Sequence, residues 1–175
     1  MGRDKALLPF GATPLVVHVA QVVAAAAGSA TLVGSRDRYG GLGWPVVEDN
    51  PPGDGPLGGM IAALGAAQAD RNLADRSLIV ACDMPWLSRE ILHALVQHVS
   101  KADVVAVRSQ NGIEPLCAVY HRRCLPTLRE ALGEGDRTVR RVLTRLKVEE
   151  WPLADARTVY NANTPEDWAA VEAGG

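Results

Sequence analysis

Ser77-Leu78-Ile79-Val80-Ala81-Cys82-Asp83-Met84-Pro85 is an apolar run that stops on a carboxylate and a proline. An uncharged segment this short, closed by a turn signal, reads as a buried strand rather than a helix. A carboxylate just past a strand's carboxyl end stands where open parallel sheets bind their ligands. Such an aspartate can hold a magnesium ion through one oxygen, or it can simply form the turn. The run by itself leaves both roles open.

Upstream, Thr13 to Ala27 has helical spacing, with Thr13 as cap, Pro14 at the first position and Gly28 as the stop. Thr31-Leu32-Val33 before Gly34, and Pro45-Val46-Val47 before Glu48-Asp49-Asn50, predict two strands. Pro51-Pro52-Gly53-Asp54-Gly55-Pro56 is loop, and Leu57-Gly58-Gly59-Met60 opens a helix through Ala69. Downstream, Ser88 caps a helix to about Val99, and 103–107 and 116–120 read as strands. Helices follow over Cys124 to Leu132 and Thr138 to Leu146, then short strands at Val148 to Leu153 and Thr158-Val159-Tyr160. Thr164, followed by Pro165, caps the last helix. This alternation predicts a single α/β domain over residues 1–175: three layers, a mostly parallel sheet and helices on both faces.

The balance of 47% hydrophobic and 22% charged residues in a 175-residue chain supports a packed core and argues against disorder. A net charge of -2 gives no basic excess, so no nucleic-acid partner is expected. No apolar run reaches membrane-spanning length and no signal-peptide pattern opens the chain, which makes the cytoplasm the expected location. Cys82, Cys117 and Cys124 are odd in number and widely spaced, as suits buried, inert thiols in a reducing compartment. His18, His93, His98 and His121 lack metal-ligand spacing.

The opening Met1-Gly2-Arg3-Asp4-Lys5-Ala6-Leu7-Leu8-Pro9 reads either as a charged terminus or as a loop that presents a lysine ahead of a helix. A fixed cation of that kind is what a nucleoside triphosphate requires, which makes Lys5 a candidate phosphate ligand. Polar residues follow three predicted strands: Asp49, Asp83, and Asn161 with Asn163. Asp49 also suits a plain polar turn, and the two amides also suit helix capping. Gly58 and Gly59 permit close approach of a helix start to a ligand, or simply a tight turn. Arg137, Arg140 and Arg141 suit a solvated helix face better than an anion site.

Together, Met1-Gly2-Arg3-Asp4-Lys5, Glu48-Asp49, Gly55-Pro56-Leu57-Gly58-Gly59-Met60, Cys82-Asp83-Met84-Pro85 and Asn161-Ala162-Asn163-Thr164-Pro165-Glu166 resemble the molybdenum cofactor guanylyltransferases. These belong to the nucleotidyltransferases of the nucleotide-diphospho-sugar transferase fold, which is Rossmann-like. The resemblance implies transfer of GMP from GTP to the terminal phosphate of molybdopterin, assisted by magnesium, with release of pyrophosphate. It also implies transient contact with molybdoenzymes or other cofactor-biosynthesis proteins. By motif, Lys5 matches the lysine that contacts the nucleotide and serves catalysis, Asp49 the acid of the nucleotide pocket, and Asp83 the catalytic, metal-binding aspartate. Asn161 and Asn163 match the asparagines associated with the pterin substrate. A family asparagine falls near Gly34, so that contact to the base is missing. The family fingerprint also carries an apolar strand and a Leu-Ala-Gly-Gly loop ahead of Met-Gly-x-Asp-Lys. This chain starts at Met1, so the first strand of the sheet and half of the nucleotide cradle are expected to be absent. Alternatives are a related nucleotidyltransferase, using CTP on molybdopterin or a nucleotide on a sugar phosphate, or a truncated, non-catalytic nucleotide-binding module.

Overall fold

The computed structural model describes residues 4–49, 53–69, 75–162, 164 and 167–169. Asp4 caps a 3-10 turn, Lys5–Leu7, after which β1 (Pro9–Phe10) and β2 (Thr13–Pro14) pair antiparallel about Gly11. The first helix, α1 (Leu15–Ala27), therefore starts later than its sequence signals suggest. Thr13 is paired with Phe10, and Pro14 is held extended at the helix start. Gly28 closes α1 in the left-handed conformation, its N–H bonded to the Ala24 carbonyl, as a C-terminal glycine should.

There follow β3 (Leu32–Val33), the short α2 (Arg36–Tyr39), β4 (Val46–Val47), α3 (Gly55–Ala69) and β5 (Arg76–Val80). Next come α4 (Arg89–Gln97), β6 (Val104–Ser109), β7 (Gly112–His121), α5 (Leu125–Gly133), α6 (Val139–Leu143) and β8 (Val148–Pro152). The Ser88 hydroxyl caps α4 by accepting from the Ile91 N–H. Of Thr158-Val159-Tyr160, expected as a strand, the first two instead lie in a 3-10 turn, Ala156–Val159, which Tyr160 closes as its extended C-terminal cap. Its first amides are drawn into the turn because the Asp155 carboxylate accepts from Arg157 N–H, a local bond that competes with sheet pairing. Thr164 does cap the last helical segment: its hydroxyl accepts from Asp167 N–H at 3.1 Å while the Asp167 carboxylate accepts from Thr164 N–H at 2.7 Å. Pro165 lies outside the described residues.

The main sheet has the order β5-β7-β6-β8. β5, β6 and β8 point one way, and β7 runs antiparallel to both β5 and β6. That reversal comes from a tight β6–β7 turn in which Gly112 takes a φ of 105° and Asn111 N–H bonds to the Ser109 hydroxyl. Side chains alternate between two cores, as strand geometry requires. Val105, Val107, Cys117 and Val119 pack in the cluster that holds residues of α1 and α4. Val104, Ala106, Ala118 and Tyr120 pack in the cluster that holds residues of α3, α5 and α6. Helices thus cover both faces, giving the three layers expected of the fold.

β3 and β4 form a separate parallel pair, Leu32 opposite Val46 and Val33 opposite Val47. Among the described residues no strand joins this pair to β5. Between them lies a cavity of about 600 Å³ walled by β3, β5, α1 and α3, with Leu32, Ile79, Val19 and Met60 in its lining. Among the described residues the β3–β4 pair and the main sheet are thus separate, with this cavity between them.

Candidate nucleotide and metal site

β5 continues past Val80 by one sheet-like bond, Ala81 N–H to the Leu116 carbonyl at 2.8 Å, and then turns. Met84 is 1% exposed and anchors that turn in the core, so Asp83 is held on a fixed stem. One carboxylate oxygen of Asp83, Oδ1, is buried and has no hydrogen-bond partner. Burial pushes the Asp83 pKa upward, while its own N–H and the charge of Lys5 oppose the rise. A buried carboxylate oxygen without a donor is costly unless a cation meets it. Asp83 therefore fits a divalent ion held by one carboxylate, with phosphate oxygens and water completing its coordination. Among the described residues no group of three or more acidic, histidine or cysteine side chains is arranged to cage a metal.

Lys5 opens the 3-10 turn at the start of the described chain. Its ammonium lies within electrostatic reach of Asp83 and favours the ionised carboxylate, although the two residues are far apart in sequence. Asp4 is in the same neighbourhood: desolvation of the sulfur, then the charge of Asp83 and last that of Asp4, push the Cys82 thiol up to about 11. Cys82 is nevertheless exposed at the cavity, unlike buried Cys117 and Cys124, so the expectation of three buried thiols fails for this one. It sits on the turn after β5 rather than within the strand.

Asp49 follows β4 by two residues and is partly exposed. None of the hydrogen bonds or ion pairs among the described residues involves its side chain. Asn161 lies beside the Asp83 turn, because the next residue, Ala162, donates its N–H to the Asp83 carbonyl at 2.9 Å. Trp86 and Tyr160 reinforce that join, with ring centroids 5.5 Å apart, and the Arg157 guanidinium lies 5.6 Å from the Trp86 ring. Asn163 and Met1 to Arg3 lie outside the described residues.

Gly58 has a steric reason to be glycine: a Cβ there would come within 2.7 Å of Asp54 Cβ. Arg137, Arg140 and Arg141 each face a carboxylate, at 2.9 Å from Asp54, 3.7 Å from Glu114 and 3.6 Å from Asp136. His98 meets Glu149 at 2.6 Å and His93 the Ala26 carbonyl at 3.1 Å, so these two rings have structural partners.

Sequence reasoning missed the residue that steadies the Lys5 turn. Tyr39 donates its hydroxyl to Asp4 Oδ2 at 2.9 Å. A tyrosine in the polar segment Arg36-Asp37-Arg38-Tyr39 carries no motif signal, although Gly34, expected only as a lost contact, marks the place where its ring needs room.

A family model described as the MobA-like NTP transferase domain matches residues 1–151. A Synechococcus elongatus protein named "Probable molybdenum cofactor guanylyltransferase" is 35% identical over 98% of this chain and 91% of its own length. Among solved structures, the molybdopterin-guanine dinucleotide biosynthesis protein A of Archaeoglobus fulgidus superposes with a TM-score of 0.79 at 22% identity, covering 98% of this chain and 90% of the other. The Mycobacterium tuberculosis protein Rv0371c, solved in complex with manganese, gives 0.70 at 21% identity, covering 97% and 92%. At these identities the structural matches speak for the fold.

Proposed function

We infer that this chain, which belongs to the MobA-like NTP transferase domain family, is a molybdenum cofactor guanylyltransferase that transfers GMP from GTP to molybdopterin. The observation that carries the reading is the buried, unpartnered Asp83 oxygen at the end of β5, set against the charge of Lys5. Its match in length and sequence to a relative named for that activity supports the same conclusion.

In this reading the terminal phosphate of molybdopterin supplies the nucleophilic oxygen. It forms a bond to the α-phosphorus of GTP as the α–β bridging P–O bond breaks, and pyrophosphate leaves with that electron pair. A phosphate nucleophile is already ionised near neutral pH, so the protein needs no general base. A divalent ion, magnesium here, would be held by Asp83 and neutralise phosphoryl charge when bound. Lys5 binds phosphate oxygens of the nucleotide, Asp49 contributes to its pocket, and Asn161 and Asn163 orient the pterin. Positioning and charge neutralisation account for the rate enhancement. The enzyme acts in the cytoplasm and passes its product by transient contact to molybdoenzymes or other proteins of cofactor assembly.

The test is turnover of purified protein with molybdopterin, magnesium and either GTP or CTP, read as pyrophosphate release and dinucleotide product. Guanylylated product from GTP, undiminished by equimolar CTP, is expected. Equal use of the two nucleotides overturns the guanine assignment, and absence of product with both overturns the transferase reading.

A further inference from the structure

We propose that Tyr39 is a positioning residue that acts through Asp4 to hold the Lys5 turn in place for the triphosphate. The proposal rests on the reading of Lys5 as a phosphate ligand and goes beyond it by naming what fixes that lysine.

Both Asp4 carboxylate oxygens are engaged. Oδ1 accepts from Ala6 N–H at 3.1 Å and so caps the 3-10 turn that Lys5 begins. Oδ2 accepts from the Tyr39 hydroxyl at 2.9 Å and from Arg38 Nη1 at 3.4 Å, bonds that reach 35 and 34 residues along the chain. On the other side of Lys5, Ala6 is 4% exposed and buried in a cluster with Val16, Ala20 and Leu32, against which the Tyr39 ring also packs. The backbone on each side of Lys5 is therefore pinned, one side by a carboxylate clamp and the other by packing.

Gly34 completes the arrangement. Its φ is 142° and a Cβ built there would stand 2.6 Å from Tyr39 Cε2. The tyrosine ring crosses the end of β3 only because position 34 carries no side chain, so glycine and tyrosine are fitted to each other. Burial, then the bond to Asp4 and the Asp4 charge, push the Tyr39 pKa well above the usual tyrosine range. The phenol consequently stays protonated, and a donor, throughout the neutral pH range. A hydrogen bond from a neutral donor to a charged acceptor is stronger than one between neutral groups, and preorganised charge is most effective when it need not reorganise during reaction.

The experiment compares wild type, Tyr39→Phe, Lys5→Ala and the double variant in magnesium-supported GTP turnover, with thermal denaturation of each. Tyr39→Phe keeps the ring and deletes only the donor. Expected are a fall of about 10-fold in kcat/KM for GTP, the usual loss for a charged hydrogen bond, and no further fall when Tyr39→Phe is added to Lys5→Ala. Gly34→Ala, which displaces the ring, should show the same dependence on Lys5 and serves if Tyr39→Phe does not fold. Wild-type activity in Tyr39→Phe beside an impaired Lys5→Ala overturns the clamp and leaves the role of Lys5 standing. Multiplying effects also overturn it, because Tyr39 would then act by another route. Wild-type activity in Lys5→Ala overturns the reading of Lys5 and the clamp with it.

Discussion

The amide of Ala162 donates to the carbonyl of Asp83, joining the chain's C-terminal segment to the end of its most apolar edge strand by one main-chain bond of 2.9 Å. Asn161 is thereby fixed beside the carboxylate proposed to hold the metal. If the proposed roles of Asp83 and Asn161 hold, the backbone rather than flexible side chains would bring nucleotide and acceptor together, an arrangement that lowers the entropic part of a bimolecular barrier.

Asp83→Asn should reduce kcat/KM about 10²–10³-fold, a loss typical of removing one electrostatic stabiliser of a developing charge. Its melting temperature should not fall. The ionised carboxylate is disfavoured by burial and one oxygen has no partner, so a neutral amide of equal size removes a penalty while destroying function. Pyrophosphate release and calorimetry on the same preparation check both halves. Retained activity would remove Asp83 from the site, and a large drop in melting temperature would make its role structural.

Asn161→Ala should raise KM for molybdopterin about 10-fold, the cost of one well-placed polar contact, with KM for GTP unchanged. The backbone bond that secures the segment belongs to Ala162 and survives the substitution. Initial-rate kinetics with each substrate varied in turn separates the two constants. An equal rise in both would mean that the side chain supports the turn instead of contacting the acceptor.

The β5 strand, its terminal aspartate and the alternation of layers were legible because apolar runs and turn residues report local structure directly. Thr13 and Pro14 misled, since the same residues that start helices also suit a short hairpin, and only Phe10, across Gly11, decides between them. Val159 and Tyr160 misled because β-branched and aromatic residues signal burial as much as extension, while the Asp155 cap fixes the turn. Lys5 and Asp83 could be chosen by chemistry, but the electrostatic reach of one to the other depends on tertiary structure. The Tyr39–Asp4 clamp had no local signal, because it joins two polar segments whose partners the sequence does not name.

Asp103 should make fold stability depend on acid pH. It stands just before β6, accepting Lys147 N–H at 2.8 Å from the approach to β8 and Arg123 Nε at 2.5 Å from the turn before α5. Burial alone would raise its pKa, but the Lys147 amide and the Arg123 guanidinium outweigh burial and hold it below the ordinary 3.8. A carboxylate depressed on folding contributes stability above its unfolded pKa and loses it as pH falls through the lower folded value. Asp103→Asn should therefore cost about 1–2 kcal/mol at pH 7, the lower part of the range for charged hydrogen bonds because Arg123 is partly exposed. The gap to wild type should persist down to about pH 4 and close below 3.8 as Asp103 protonates. Urea denaturation across that range measures it, with urea preferred because an ionic denaturant would screen the pair. A gap unchanged at low pH would show that the shape of the side chain, not its charge, joins these three segments.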